Sequence, residues 1–305
     1  MTTLRNISIS IIAALAFSSC IRDDLDACPP LRVSIGVKDK NYSNVDMMHL
    51  DKDLGIDERV SEDQPLGFYV PTLYWRLSRL RDDGTRELIK ERGVFAVEGE
   101  EKTLSLDFGN ELPFGRYVFT VWGGMGDLDE FNADRTEVKF HPDNAQGYDV
   151  YLASDTLDYD ASHGSFESML RRTKGKLIIY AEDLPRRVEY SGKTVDGLYG
   201  RVDTRFDYSD STAVKTAQNR RGADNILTET FLTPSTSDYS SLLDINFYDD
   251  NRLDHPDIEP RDIHITMSRN ELTVLKYVYN QKDNTFYIYQ RVNDTWETVH
   301  DMIVE

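Results

Sequence analysis

Apolar and polar residues alternate one for one along most of this chain. Leu31, Val33, Ile35 and Val37 are separated by Arg32, Ser34 and Gly36. Leu104, Leu106 and Phe108 are separated by Ser105 and Asp107. Tyr117, Phe119 and Val121 alternate with Val118, Thr120 and Trp122, so that segment is apolar on both faces. Shorter runs of the same kind recur at 138–140, 150–152, 177–180, 187–190, 198–206, 226–232, 242–248, 263–267, 275–279 and 286–292. A period of two, rich in Val, Ile, Tyr, Phe and Thr, predicts strands. Their spacing, with turn residues between them, predicts β-sandwiches and an all-β fold. One stretch reads as a helix instead. Over 166–173, Phe166, Met169, Leu170 and Thr173 would share a face, and Gly175 follows as a stop.

The polar segment 154–164 separates the two sets of strands, and 305 residues suit two domains of ordinary size. This predicts one β-sandwich over 31–154 and a second over 155–305.

The pattern is different before residue 31. Arg5 is the only charge ahead of an apolar run, 7–17, broken by Ser8 and Ser10. As a helix that run rises about 16 Å, short of the about 30 Å of a bilayer core, so it reads as a secretory signal and not a span. Phe17-Ser18-Ser19-Cys20 has the form of a bacterial lipobox: a large apolar residue, two small ones, then a thiol. The small residues admit the backbone to a peptidase, and the thiol takes the lipid. The expected arrangement is a signal peptide over 1–19, cleavage between Ser19 and Cys20, and a lipidated tether over 20–30. More than one acyl chain is needed for a stable anchor. The following Ile21-Arg22-Asp23-Asp24-Leu25-Asp26 resembles the surface-export signal of Bacteroidota lipoproteins, which implies an exposed position on the outer membrane.

Composition narrows the partners. The net charge of −19 argues against nucleic acid, because neutralising phosphates takes Lys and Arg. Two cysteines are too few for a disulfide scaffold; with Cys20 lipidated, Cys28 reads as a small buried residue, a Cys20–Cys28 bridge being the alternative. No nucleophile elbow, zinc-protease helix, phosphate loop or dinucleotide fingerprint occurs. The histidines, at 49, 141, 163, 255, 264 and 300, have no mates at ligand spacing. The acidic loops 127–134 and 249–254 offer alternating oxygens but lack the glycine and closing glutamate of an EF-hand, and they read as solvated turns. Trp75, Trp122 and Trp296 could form a sugar-stacking platform. Asp155-Thr156-Leu157 and Asp210-Ser211-Thr212 resemble short O-glycosylation acceptors. The expectation is a chain without catalytic residues, cofactor or metal, and not an enzyme.

Four stretches together resemble the Bacteroidales fimbrial anchor lipoprotein family, of the minor-fimbria and FimB type. They are Asp23-Asp24-Leu25-Asp26-Ala27-Cys28-Pro29 leading into the strand at 31–37, Leu112-Pro113-Phe114-Gly115-Arg116-Tyr117 leading to Trp122-Gly123-Gly124, the segment 171–180 with Leu184-Pro185, and Val292-Asn293-Asp294-Thr295-Trp296. The resemblance implies two tandem transthyretin-like β-sandwich domains at the membrane-proximal end of a fimbrium, partnered by fimbrial shaft subunits through strand donation. An anchor that keeps its strand at 31–37 would leave no groove for a donor and would end assembly. Its own donor would come from the C-terminus, from 286–292 or from 296–304. Two other readings remain: a shaft or tip subunit cut from a lipoprotein precursor after Arg22, Arg32 or Arg59, and a surface glycan-binding lipoprotein. Nothing familiar stands at 38–71 or 210–224.

Overall fold

A computed structural model describes residues 29–220 and 225–299. The first half contains β1 (Arg32–Val37), three short helices α1 (Val45–Met48), α2 (Leu50–Leu54) and α3 (Leu66–Tyr69), then β2 (Thr72–Leu80), β3 (Arg86–Ala96), β4 (Leu104–Asp107), β5 (Gly115–Gly123), β6 (Glu137–Lys139), β7 (Tyr151–Tyr159) and β8 (Ser165–Arg172). All but β6 join one sheet in the order β3-β2-β5-β7-β8-β1-β4. Pairing between β7 and β8 narrows to Tyr151 with Arg172 and Leu152 with Arg171. Strands on both sides of that narrow join share one core, in which Val33, Ile35, Trp75, Leu77, Phe119 and Leu157 meet. This is the predicted sandwich. Its inward positions are the apolar members of the alternation.

The second half contains β9 (Gly175–Glu182), β10 (Tyr190–Asp203), β11 (Tyr208–Asn219), β12 (Ile226–Leu232), β13 (Ser241–Tyr248), β14 (Ile263–Ile265), β15 (Leu272–Asn280), β16 (Thr285–Val292) and β17 (Thr295–Thr298). Two sheets, β11-β10-β13-β14 and β12-β9-β15-β16-β17, enclose a core of Leu177, Ile179, Val195, Ile245, Phe247, Leu275 and Tyr277. Two pairings are parallel, β1 with β8 and β9 with β15; the other pairings among described strands are antiparallel.

Two expectations are corrected. Residues 166–173 are not helical, since 165–172 is strand β8. Ser168, Leu170 and Arg172 point inward while Glu167, Met169 and Arg171 point out, a period of two that polar residues at inward positions conceal. The polar segment 154–164 is not a linker between domains. It holds most of β7 and the turn into β8, and both strands belong to the first sheet. The chain passes to the second pair of sheets only at Thr173 and Lys174, between β8 and β9.

Candidate functional site: an enclosed first strand and a buried junction

Strand β1 lies between β4, which it meets antiparallel, and β8, which it meets parallel from Arg32–Ser165 to Val37–Leu170. Bonds beyond the ladders extend its hold: Leu31 N–H donates to Gly109 O at 2.9 Å, Arg32 N–H to Gly164 O at 2.7 Å and Lys38 N–H to Leu170 O at 2.8 Å. Just ahead of it, the Tyr159 hydroxyl donates to Pro29 O at 2.8 Å. Leu31, Val33 and Ile35 are wholly buried and Val37 nearly so. Each such side chain contributes on the order of 1.5–3 kcal/mol by leaving water. The first strand therefore closes the sandwich on both its edges and its inner face.

At the other end, β16 is paired on both sides, with β15 and with β17. Ile288 sits in the core, with Phe286 packed against it. Strand β17 is the edge of its sheet, and Val299 N–H continues the ladder to Ile288 O at 2.9 Å. Of the two candidate donor runs, 286–292 is thus already engaged within the protein.

Between the two halves lies a junction in which nearly everything is buried. Arg172, Thr173, Lys174 and Gly175 are all inaccessible. Most of their backbone groups have partners. Arg172 N–H donates to Asp39 Oδ2 at 2.9 Å, and Arg269 Nη1 donates to Arg172 O at 2.9 Å. Thr173 N–H donates to Val150 O at 2.8 Å, and the Tyr208 hydroxyl donates to Thr173 O at 2.7 Å. Asn270 N–H donates to Lys174 O at 2.9 Å. Buried backbone groups must be satisfied in this way or destabilise the fold. The Arg172 guanidinium bonds Asp149 Oδ2 at 2.7 Å and Asn270 Oδ1 at 2.9 Å, and packs on the Tyr42 ring. Burial works against its charge, but Asp149 and the neighbouring Tyr151 and Tyr42 outweigh that and hold it above the ordinary arginine value. Lys174 is in the opposite position. Its ammonium donates to Gln146 O at 2.9 Å, and burial pushes it down to about 8.

Two excursions of the first half grip the second. Residues 39–58, where the sequence is unfamiliar, lie against sheet β12-β9-β15-β16-β17. Tyr42, Met48 and Leu50 pack on Ile178, Leu272 and Val274, on the face turned away from the second core. The Asn44 side chain both donates to Leu272 O and accepts from Leu272 N–H, each at 2.9 Å, Ser43 N–H donates to Asn270 O at 2.8 Å, and Arg291 Nε donates to Met48 O at 2.9 Å. Lys176 joins Glu58 and Glu229 at 2.9 and 2.8 Å. On the other side, β6 leaves the first half to pair with the end of β10, Val138 opposite Val202.

Cys20, Ser19 and Cys28, the proposed lipidation, cleavage and buried-thiol positions, lie outside the described residues, as do Arg22, His300 and the last positions of the C-terminal run. Trp75 and Trp122 are buried core residues, 5% and 0% exposed, so they form no sugar platform. Trp75 faces the first core, and Trp122 lies on the other face of β5, covered by Tyr74, Met125, Phe131 and Val138. One carboxylate in each acidic loop closes a turn: Asp127 Oδ1 accepts from Asp129 N–H at 2.7 Å and Asp250 Oδ1 from Arg252 N–H at 3.0 Å. No cluster of three or more His, Cys, Asp or Glu suited to a metal occurs among the described residues. His141 is a buried, satisfied histidine. Burial, and then the charge of Lys174, lower it to about 3; its Nδ1 lies 3.0 Å from Ala145 O. Thr156 and Ser211 are exposed on β7 and β11. No described helix is long and apolar enough to cross a membrane. The family resemblance at 171–180 implies the entry into a second domain, but the buried network of the junction went unread in the sequence. Its one visible sign is the basic run Arg171-Arg172-Thr173-Lys174 set between two strands.

No protein-family model matches the sequence, and no curated protein matches it significantly. Solved structures do share the architecture. A candidate adhesin of Bacteroides thetaiotaomicron superposes with a TM-score of 0.58 at 13% identity, over 91% of this chain and 100% of that one. A candidate adhesin of Bacteroides ovatus gives 0.55 at 13% identity, over 92% and 98%. The fimbrial anchor protein Mfa2 of Porphyromonas gingivalis gives 0.51 at 14% identity, over 89% and 100%. The protein is thus an all-β chain with the fold of Bacteroidales adhesins and fimbrial anchors, similar over nearly the whole length of each.

Proposed function

We propose that this protein is a surface lipoprotein that holds the base of a fimbrium on the cell outer membrane. Lipid on Cys20 tethers the chain, and the retained first strand ends assembly below it. The observation that carries the reading is the state of β1: paired along both edges, with its apolar side chains buried. A fimbrial subunit grows by accepting an extended segment from its neighbour, which needs an open edge and empty inward pockets. A sandwich whose slot is filled by its own strand accepts nothing. The upward partner is a shaft subunit, which receives a strand from the C-terminus. The segment from β17 onward is the better donor, because freeing 285–292 would break two ladders and freeing β17 breaks one. The likeness to an anchor protein of the same fold supports the same reading.

The test is the state of the mature N-terminus in fractionated outer membranes. A lipid-blocked Cys20 with residues 20–59 still attached is expected. A free end beyond Arg32 or Arg59 would make the protein a processed shaft or tip subunit. A Cys20→Ala variant should shed its filaments into the medium; filaments that stay on the cell overturn the proposal.

A further inference from the structure

Strand direction at the two parallel pairs has a mechanical consequence. We propose that β1–β8 and β9–β15 act in series as shear-loaded clamps, joined through the buried junction, so that tension entering ahead of β1 and leaving after β15 must shear a whole parallel ladder before either half opens. The pull ahead of β1 rests on the anchor reading; the resistance to a pull taken between that point and the turn after β15 is a property of this fold alone.

In the first clamp, the pull arrives at the N-terminal end of β1, opposite Ser165, and leaves from the C-terminal end of β8, opposite Val37. In a parallel pair those are opposite ends of the ladder. Tension therefore runs along the strands, and every cross-strand hydrogen bond is loaded together. Had the two strands been antiparallel, the same chain ends would lie side by side and the bonds would break singly, in sequence. Each bond contributes only about 1 kcal/mol net, so what separates the two geometries is how many must fail in a single event. Sliding β1 by one residue would also bring Arg32, Ser34 and Gly36 to the positions of Val33, Ile35 and Val37, at the cost of the apolar burial there.

The second clamp repeats the arrangement. Tension enters β9 at Gly175 and leaves β15 beyond Val278, and these strands pair in parallel from Lys176–Leu272 to Glu182–Val278. The chain between the clamps is not a hinge. Arg172 to Gly175 are buried and bonded to both halves, and the 39–58 excursion crosses from one half to the other through Asp39, Asn44 and Met48. A flexible linker would let the halves swing and turn shear into peeling; this one holds the two ladders in place.

The experiment is single-molecule force spectroscopy on residues 20–305 with Cys28→Ser, so that Cys20, left without lipid, is one attachment point. In the first chain the second point is Lys282→Cys, in the exposed turn after β15. In the second it is Ala161→Cys, in the exposed turn before β8, which places both handles at the same end of the β1–β8 ladder. Both substitutions are at exposed turn positions, and thermal melts matching the parent chain establish that each is folded. The chain held at 20 and 282 is expected to rupture at a clearly higher force than the chain held at 20 and 161, with no extension step at low force. Equal rupture forces overturn the proposal, and so does a low-force step of the length released when the halves separate. Because the lipid plays no role in this measurement, a weak ladder sinks only the clamp, and shed filaments or their retention in the Cys20→Ala strain bear only on the anchor.

Discussion

Arg172 and Asn270, 98 positions apart in sequence, meet at 2.9 Å inside the protein, guanidinium to side-chain oxygen. The first belongs to the last strand of the first half and the second to the turn before β15. Arg172 also carries Asp149 and accepts Arg269 on its carbonyl. Removing one partner of a buried charged network leaves the others desolvated and unmatched. Arg172→Ala should therefore cost about 3 kcal/mol or more of unfolding free energy. In urea denaturation followed by tryptophan fluorescence, the expected result is a lower midpoint and a split into two transitions, as the halves lose their coupling. An unchanged single transition would show that the junction does not join them.

Gly175 opens β9 where the backbone of 268–271 passes over it. A Cβ there would collide with the carbonyl oxygen of Ser268 and come within 2.9 Å of that of Glu271. Neither neighbour is a flexible side chain. Gly175→Ala should lower stability by about 2–3 kcal/mol, the range of an overpacked site, and calorimetry should show the loss as a fall in Tm.

Ile35 lies on β1 and is wholly buried in the first core. Ile35→Ala leaves a cavity and should cost about 2–5 kcal/mol. Under the anchor proposal it should also loosen the slot, so that hydrogen exchange of the β1 amides rises more than that of β16. Equal protection in both strands would separate the stability of β1 from that of its slot.

The Lys193 ammonium is inside the second sandwich, where it donates to the Thr228 hydroxyl at 2.8 Å. Burial lowers its pKa from the ordinary 10.5 to about 7. Folding thus favours the neutral amine. Between those two values the unfolded chain holds a proton that the folded chain has shed, so stability rises with pH across that window and falls as the pH drops toward 7. Lys174, lowered by burial to about 8, adds a slope of the same sign. Lys193→Met should raise Tm most at the acid end of the window and flatten its pH dependence. A slope unchanged in the variant would assign it to other groups.

The alternation at 31–37 and 104–108 gave strands β1 and β4 because the apolar set of each faces a core, and 117–122 gave β5, whose apolar residues on both faces are buried in two different cores. Strand β2 was not read from the sequence although Leu73, Trp75 and Leu77 alternate with Tyr74, Arg76 and Ser78, and three other strands were harder to read. Strand β3 is exposed along most of its length, so no apolar face marks it. Strand β11 carries its one fully buried side chain at Val214 and is otherwise mostly polar and exposed or half-buried. Strand β8 places Ser168 and Arg172 at inward positions, and period two then passes for a helical stripe. In each case the strand is held by its neighbours' hydrogen bonds, which side-chain pattern does not encode.

What the sequence alone determined is the all-β class and the inward set of strands such as β1, β4, β9 and β13, together with the expectation of a lipid at Cys20. These rest on local chemistry: a period of two, small residues before a thiol, charge after it. Tertiary structure alone decided the rest. It set the direction of β1 against β8 and of β9 against β15, moved the division of the chain to Thr173 and Lys174, and made the unfamiliar 39–58 segment a brace between the halves. Each of these depends on groups far apart along the chain, and a bond such as that from Arg172 to Asn270 exists only once the backbone has brought its ends together.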